Sequence, residues 1–324
     1  MSFSIIGLLA LTAYFAVCIT YVYRWRGQRR YDSFTQYLRK SWPIFAPLNC
    51  LMYMTTRAHA RKPVLDAGYL DNIGLLRANW RVMRDEALAL EAAGAFEAAK
   101  AAGSAGYYDV GFRTFYKRGW SKFYLSWYGT THRSAQRLCP RTVAVLAQLP
   151  QIRGAMFSIL PAGAELSVHA DPMACSFRYH LGLQTPNDAA CRIQVDDVDC
   201  VWLDGQDFVF DETYPHSAHN ATDRPRLILM CDVDRPMNAL GRMIHAGYRV
   251  IARGTLVANT AEDDRGLFSR LFAKIAPLRE RSLRWKTERR RAYRTLKFVL
   301  NSTLMTGLMA MIFAVLHVLE AITA

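Results

Sequence analysis

The sequence contains no CxxC pair, and its seven cysteines (Cys18, Cys50, Cys139, Cys175, Cys191, Cys200 and Cys231) stand in odd number. That pattern excludes a zinc ribbon, speaks against a disulfide framework and points to a reducing compartment. Acidic residues are scarce. In 324 residues, 27 Asp and Glu face 41 Lys and Arg, a formal charge of +14. A balance of that sign suits nucleic acid, an anionic membrane surface or a phosphorylated substrate, and its distribution along the chain decides among them. Apolar residues are plentiful, with 52% hydrophobic and 12% aromatic, which excludes global disorder.

Two stretches lack charge altogether. Residues 3–23 read FSIIGLLALTAYFAVCITYVY, and residues 298–319 read FVLNSTLMTGLMAMIFAVLHVL. Each is long enough to span a bilayer. Arg24, Arg26, Arg29 and Arg30 follow the first, which is the reverse of a signal peptide. Seven Lys and Arg between Arg284 and Lys297 precede the second. Positive charge flanking both spans on the inner side places residues 24–297 in the cytoplasm and both termini outside. The basic clusters then lie against anionic membrane phospholipids. Because the charge gathers beside the spans and not on a compact face, nucleic acid is not the expected partner.

Between the spans the chain divides by texture. Residues 24–64 form a basic juxtamembrane segment in which IFAPLNCLMYM is too short to span. It reads as a surface-lying segment or as an arm packed on the core. Residues 65–150 are helical and aromatic-rich. The spacing over Leu70 to Ala93 predicts an amphipathic helix capped by Asp71, and Ala135 to Leu149 predicts another closed by Pro150. Gly106 to Gly129 interleaves aromatics with Arg113, Lys117, Arg118 and Lys122, a pattern of strands with aromatics inward. Residues 241–297 form a second basic segment.

From 151 to 240 short apolar runs alternate with turns, which implies a sandwich or barrel-like double-sheet roll. Asp204-Gly205, between VWL and DFVF, is a hairpin signal. Within this region SVHADPM holds His169 and Asp171. YPHSAHNATDRPR holds His216 and, ten residues on, Arg226. His-x-Asp with a distant His is the ligand set of a two-histidine, one-carboxylate facial triad for Fe(II) that leaves positions open for oxygen and a co-substrate. Arg226 is placed to bind an anionic co-substrate bidentately. His216 and His219 also form HxxH, a zinc pattern on a helix, but Pro215 and the NATDRP loop oppose a helix there.

SILPAGAELSVHADP, FRYHLGL and FDETYPHSAHNATDRPRLILMCDV together resemble the aspartyl/asparaginyl beta-hydroxylase family over about residues 150–236. The wider layout resembles that family's membrane-embedded branch, which hydroxylates acyl chains of lipid A in Gram-negative bacteria. The resemblance implies iron on His169 and His216, and 2-oxoglutarate on Ser158, Arg178, His180 and Arg226. Animal protein hydroxylases of the family carry Gly where this chain has Asp171. A full triad of His169, Asp171 and His216 is therefore expected here. The resulting expectation is a mainly β protein with a double-stranded β-helix (jelly-roll or cupin-like) oxygenase core, flanking α-helices and one transmembrane helix at each end. It would use Fe(II), 2-oxoglutarate and O2 to hydroxylate C2 of a secondary acyl chain of lipid A at the cytoplasmic face of the bacterial inner membrane. Two alternatives are a peptidyl aspartyl/asparaginyl hydroxylase and a non-enzymatic metal-binding membrane scaffold.

Overall fold

The computed structural model describes residues 3–300 apart from 110 and 113–118, with isolated positions beyond. The α-helices that position the site and the N-terminal end are α1 (Phe3–Arg24), α2 (Phe34–Lys40), α3 (Ala46–Thr55), α4 (Gly74–Ala78), α5 (Trp80–Ala92), α6 (Ala95–Lys100), α7 (Arg133–Leu138), α8 (Pro140–Leu146), α9 (Ala239–Arg253) and α10 (Leu267–Glu288). The strands are β1 (Val64–Leu65), β2 (Ser121–Trp127), β3 (Thr130–Thr131), β4 (Ile152–Leu160), β5 (Glu165–His169), β6 (Ser176–Gln184), β7 (Cys191–Val195), β8 (Val198–Val201), β9 (Asp207–Phe210), β10 (His216–Asn220) and β11 (Arg226–Asp234).

The strands form two antiparallel sheets. One has seven strands in the order β1-β9-β6-β11-β4-β2-β3, and the other four in the order β5-β10-β7-β8. They pack face to face as a sandwich around a shared core. The expectation of a mainly β protein is corrected, because helix takes up 45% of the chain and the whole is mixed α/β.

Strand alternation decides where the site lies, since successive side chains point to opposite faces. On β6, Phe177, Tyr179, Leu181 and Leu183 enter the core beneath α4, α5 and α8, leaving Arg178 and His180 for the other face. On β4, Phe157 and Ile159 do the same and leave Ser158; on β11, Leu227 and Leu229 leave Arg226 and Ile228. The second face packs on the smaller sheet through Met156, Leu160, Ile193, Val195 and Trp202. The larger sheet is thus covered on both sides, and its polar residues on the inner side are sealed in.

Several local expectations are corrected. The helix read over 70–93 breaks at Asn79, and Asp71 caps nothing, because α4 starts after Ile73 without a side-chain cap. The helix read over 135–149 is two, since the ring of Pro140 cannot continue α7 and starts α8 instead. Asp204-Gly205 does form a turn, with Gly205 at φ +72. It joins strands of different sheets and is not a hairpin, for β8 lies in the smaller sheet and β9 in the larger. This crossover passes so close to β6 that a Cβ on Gly182 would sit 2.1 Å from the Leu203 carbonyl oxygen. Gly182→Ala therefore forces backbone apart and should cost about 1–3 kcal/mol or more, seen as a lowered midpoint in a thermal melt.

The N-terminal end is tied down more firmly than its composition implies. Helix α1 is long and apolar enough over Ile5–Arg24 to cross a membrane. Its Tyr14, Cys18 and Val22 pack on Ala46, Cys50 and Tyr53 of α3. In turn α3 packs on the core, where Asn49 bridges the Pro172 carbonyl and the Ala174 N–H. The IFAPLNCLMYM stretch thus folds largely as α3, packed between α1 and the core. Arg26 is held from within the protein. It is buried, pairs with Asp211 at 2.7 Å, and lies between the rings of Tyr53 and Tyr214. Asp211 also holds buried Arg235 at 2.9 Å. Asp211→Ala leaves two guanidiniums buried without that partner, and denaturant unfolding should show a loss of about 3–5 kcal/mol. The apolar stretch at 298–319 lies largely outside the described residues.

Candidate functional site

Strand β5 ends on His169 and β10 begins on His216, and the register sets the two directly opposite. Their ring centroids are 4.2 Å apart. Asp171 leaves the strand end in a turn held by its N–H, which donates to the Glu212 carbonyl at 2.8 Å. Its Oδ1 lies 3.7 Å from His169 Nε2. One ligand atom from each of the three falls within 4.8 Å of the others.

The outer nitrogens fix the tautomers. His169 Nδ1 is 2.9 Å from the Ser167 carbonyl, and His216 Nδ1 is 3.0 Å from the Tyr214 carbonyl. A carbonyl only accepts, so each Nδ1 carries the hydrogen and each Nε2 keeps its lone pair free for a metal. Burial, with His169 beside it, pushes His216 down to about 4, so its ring is neutral near pH 7. Two neutral imidazoles and a carboxylate are the donor set that suits Fe(II). His219 takes no part. Three residues along the strand it turns to the other face and stays half-exposed near Glu165, so the HxxH zinc pattern does not form.

Arg178 is buried among three carboxylates. It donates to Glu212 and, at 3.2 Å, to Asp171 Oδ2. Its NH1 lies 2.7 Å from Asp232, close enough for an ion pair although not aligned as a hydrogen bond. Burial, with Asp171 and Asp232 nearby, pushes Glu212 up against the pull of Arg178. In this arrangement Arg178 orients Asp171.

Arg226 is different. It is 1% exposed, and among the described residues no carboxylate pairs with it. Its guanidinium lies 4.3 Å from the Trp202 ring centroid and 5.3 Å from that of Trp120, with Ser158 Oγ at 3.4 Å. Burial lowers it to about 9, and its Nε has no partner. Nearby, Trp202 Nε1 donates to His180 Nδ1 at 3.2 Å. His180 therefore carries its hydrogen on Nε2, which is buried and also without a partner. Burial and then Arg226 keep His180 neutral. A buried cation lacking a counter-ion, beside an orphaned donor and a hydroxyl, calls for a small anion. A dicarboxylate such as 2-oxoglutarate meets that demand.

All seven residues singled out in the sequence thus lie in the sandwich: three at the strand ends of the smaller sheet and four on the inner face of the larger. Sequence reasoning missed Glu212, Asp232, Trp120 and Trp202. Asp232 gave a signal, as a lone carboxylate inside the apolar run RLILMCDV.

Residues 77–236 match the family described as Aspartyl/Asparaginyl beta-hydroxylase. An ornithine lipid ester-linked acyl 2-hydroxylase of Rhizobium tropici is 35% identical over 128 residues, which cover 39% of this chain and 45% of that protein. The human aspartyl/asparaginyl beta-hydroxylase is 30% identical over 178 residues, covering 53% of this chain and 22% of that one. The chain thus spans less than half the length of either relative. A Pseudomonas putida prolyl-4-hydroxylase structure overlays 57% of this chain and 99% of its own at 18% identity, with a TM-score of 0.38. The donor set and the family both fit Fe(II), 2-oxoglutarate and O2 as cofactors. Over residues 77–236, about half of its length, the chain is thus similar to the aspartyl/asparaginyl beta-hydroxylase family.

Proposed function

We propose that the protein is an Fe(II)- and 2-oxoglutarate-dependent dioxygenase that hydroxylates C2 of a secondary acyl chain of lipid A at the cytoplasmic face of the bacterial inner membrane. The observation that carries the chemistry is the pairing of two sites in one sandwich. One is the His169–His216 pair with Asp171, and the other is a buried Arg226 without a counter-ion.

Iron and oxoglutarate bound together supply the oxidising power that puts an oxygen atom from O2 into an unreactive C–H bond. His169, Asp171 and His216 hold the metal through Nε2, a carboxylate oxygen and Nε2. The carboxylate offsets part of its charge, and Arg178 keeps that carboxylate turned inward. Arg226 pairs with the far carboxylate of oxoglutarate, and Ser158 and the His180 Nε2–H add hydrogen bonds. Trp120 and Trp202 line the guanidinium and exclude water, which strengthens that pairing.

A lipid substrate is supported by three observations. A relative's printed activity is acyl 2-hydroxylation of a lipid. Helix α1 can span a bilayer. Helix α9 buries Gly241, His245 and Ala252, half-buries Ile244 and Tyr248, and on the adjoining arc exposes Leu240, Met243, Val250 and Ile251 beside Arg242 and Arg249. A surface of that kind suits a membrane interface. Helix α9 packs on α3, and α3 on α1.

The rhizobial relative favours a second reading, in which the acyl chain belongs to ornithine lipid. Mass spectrometry of lipids from cells making the protein, beside cells making Asp171→Ala, tests both. A one-oxygen gain on a secondary acyl chain of lipid A, absent with Asp171→Ala, is expected. A gain confined to ornithine lipid would move the substrate, and no gain on any lipid would overturn the reading.

A further inference from the structure

A cavity of about 460 Å³ lies between α1, α3 and the turn at Asp211 and Tyr214. That volume suits a ligand of substantial size. Its upper wall is one face of α1, where Tyr14, Val17, Cys18 and Tyr21 recur at helical spacing, facing Cys50 and Tyr53 of α3. Its floor is cationic. Arg26, Arg61 and Arg235 line it, with Asp211 as the acidic residue among the lining groups. Asp211 neutralises one charge through its pairs with Arg26 and Arg235, which leaves two. Arg61 donates to the carbonyls of Thr56 and Met54, which carry no charge. Arg26 NH1 and Arg235 Nε are buried with no hydrogen-bond partner, in side chains 6% and 1% exposed.

We infer that this cavity is a binding site for an anionic phospholipid. The phosphate sits on Arg26, Arg61 and Arg235, and an acyl chain runs along the Tyr14–Tyr21 face of α1. The order of the groups matches the depth of a bilayer. Arg26 follows the last residue of α1 by two positions, so a membrane-spanning α1 holds the cationic floor at headgroup level. From Tyr14 to Arg24 the helix rises about 15 Å, enough to accompany the upper part of an acyl chain. A zwitterionic headgroup brings no net charge to balance the floor, and a free phosphate leaves the apolar wall unused.

The test reads binding directly, so it stands whatever the iron site does. Short-chain phosphatidylglycerol is titrated by calorimetry into the full-length protein in a neutral detergent. Arg61→Gln and Val17→Trp serve as variants, because both positions are exposed on the rim and neither holds the core; unchanged melting temperatures verify their folding. One lipid per chain is expected, bound at least about tenfold more weakly by Arg61→Gln, as loss of one charge-assisted contact predicts, and more weakly by Val17→Trp, whose ring takes up space along the acyl wall. Equal binding of the matching phosphatidylcholine would overturn the proposal, because the floor would then not be read. So would inorganic phosphate binding as tightly as the lipid, or affinities unchanged in both variants.

Discussion

His216→Ala and Asp171→Ala each leave a folded protein without hydroxylase turnover. Neither side chain belongs to the apolar clusters that hold the sheets together, so circular dichroism and the melting midpoint should change little. The metal centre has no spare ligand. His219 points to the other face, Glu212 is occupied by Arg178, and the described residues hold one cluster of metal-binding geometry. Activity should fall by more than the roughly 100-fold that loss of an outer partner costs, with iron content dropping in parallel. His219→Ala is the control and should retain both. Turnover within a few-fold of the native protein in either triad variant would remove the metal assignment.

Arg226→Met should separate co-substrate binding from folding. In the native protein, oxoglutarate at about a hundred times its dissociation constant adds about 2.7 kcal/mol of stability, visible as a raised melting temperature. The methionine variant should show no such rise. Without oxoglutarate it should be no less stable than the native protein, since it removes a buried charge that has no counter-ion. Arg226→Lys keeps the charge and loses the fork, so the oxoglutarate requirement should increase about 10- to 100-fold, the worth of one charged hydrogen bond. An undiminished thermal response in Arg226→Met would place the co-substrate elsewhere.

The strand pattern and the site were legible because both follow local rules. FRYHLGL read as one short strand of the roll, His-x-Asp at a strand end announced a ligand pair, and Arg178 and His180 came from the resemblance. What was not legible depends on residues far apart in the chain. A run of arginines after an apolar stretch reads as headgroup contact, yet the partner that buries Arg26 is Asp211, 185 residues on. The resemblance puts Arg178 on 2-oxoglutarate, yet β11 and the Glu212 turn surround it with three carboxylates. The turn at Asp204-Gly205 carries a hairpin's residues but joins two sheets, because nothing local records which sheet each strand enters. Asn79 interrupts a periodic apolar pattern that continues across it, so the break between α4 and α5 left little trace in the spacing.

The central claim is that this centre couples oxoglutarate to oxidation of a lipid acyl chain. It is tested most directly by measuring succinate and hydroxylated lipid together, with purified protein, Fe(II), oxoglutarate and lipid A vesicles under air. The account predicts that both products appear in equal amounts, require the lipid, and vanish with Asp171→Ala. Succinate formed without any oxygen on lipid, and with oxygen on an Asp or Asn of an added peptide instead, would contradict it. So would the absence of succinate from protein shown to hold iron.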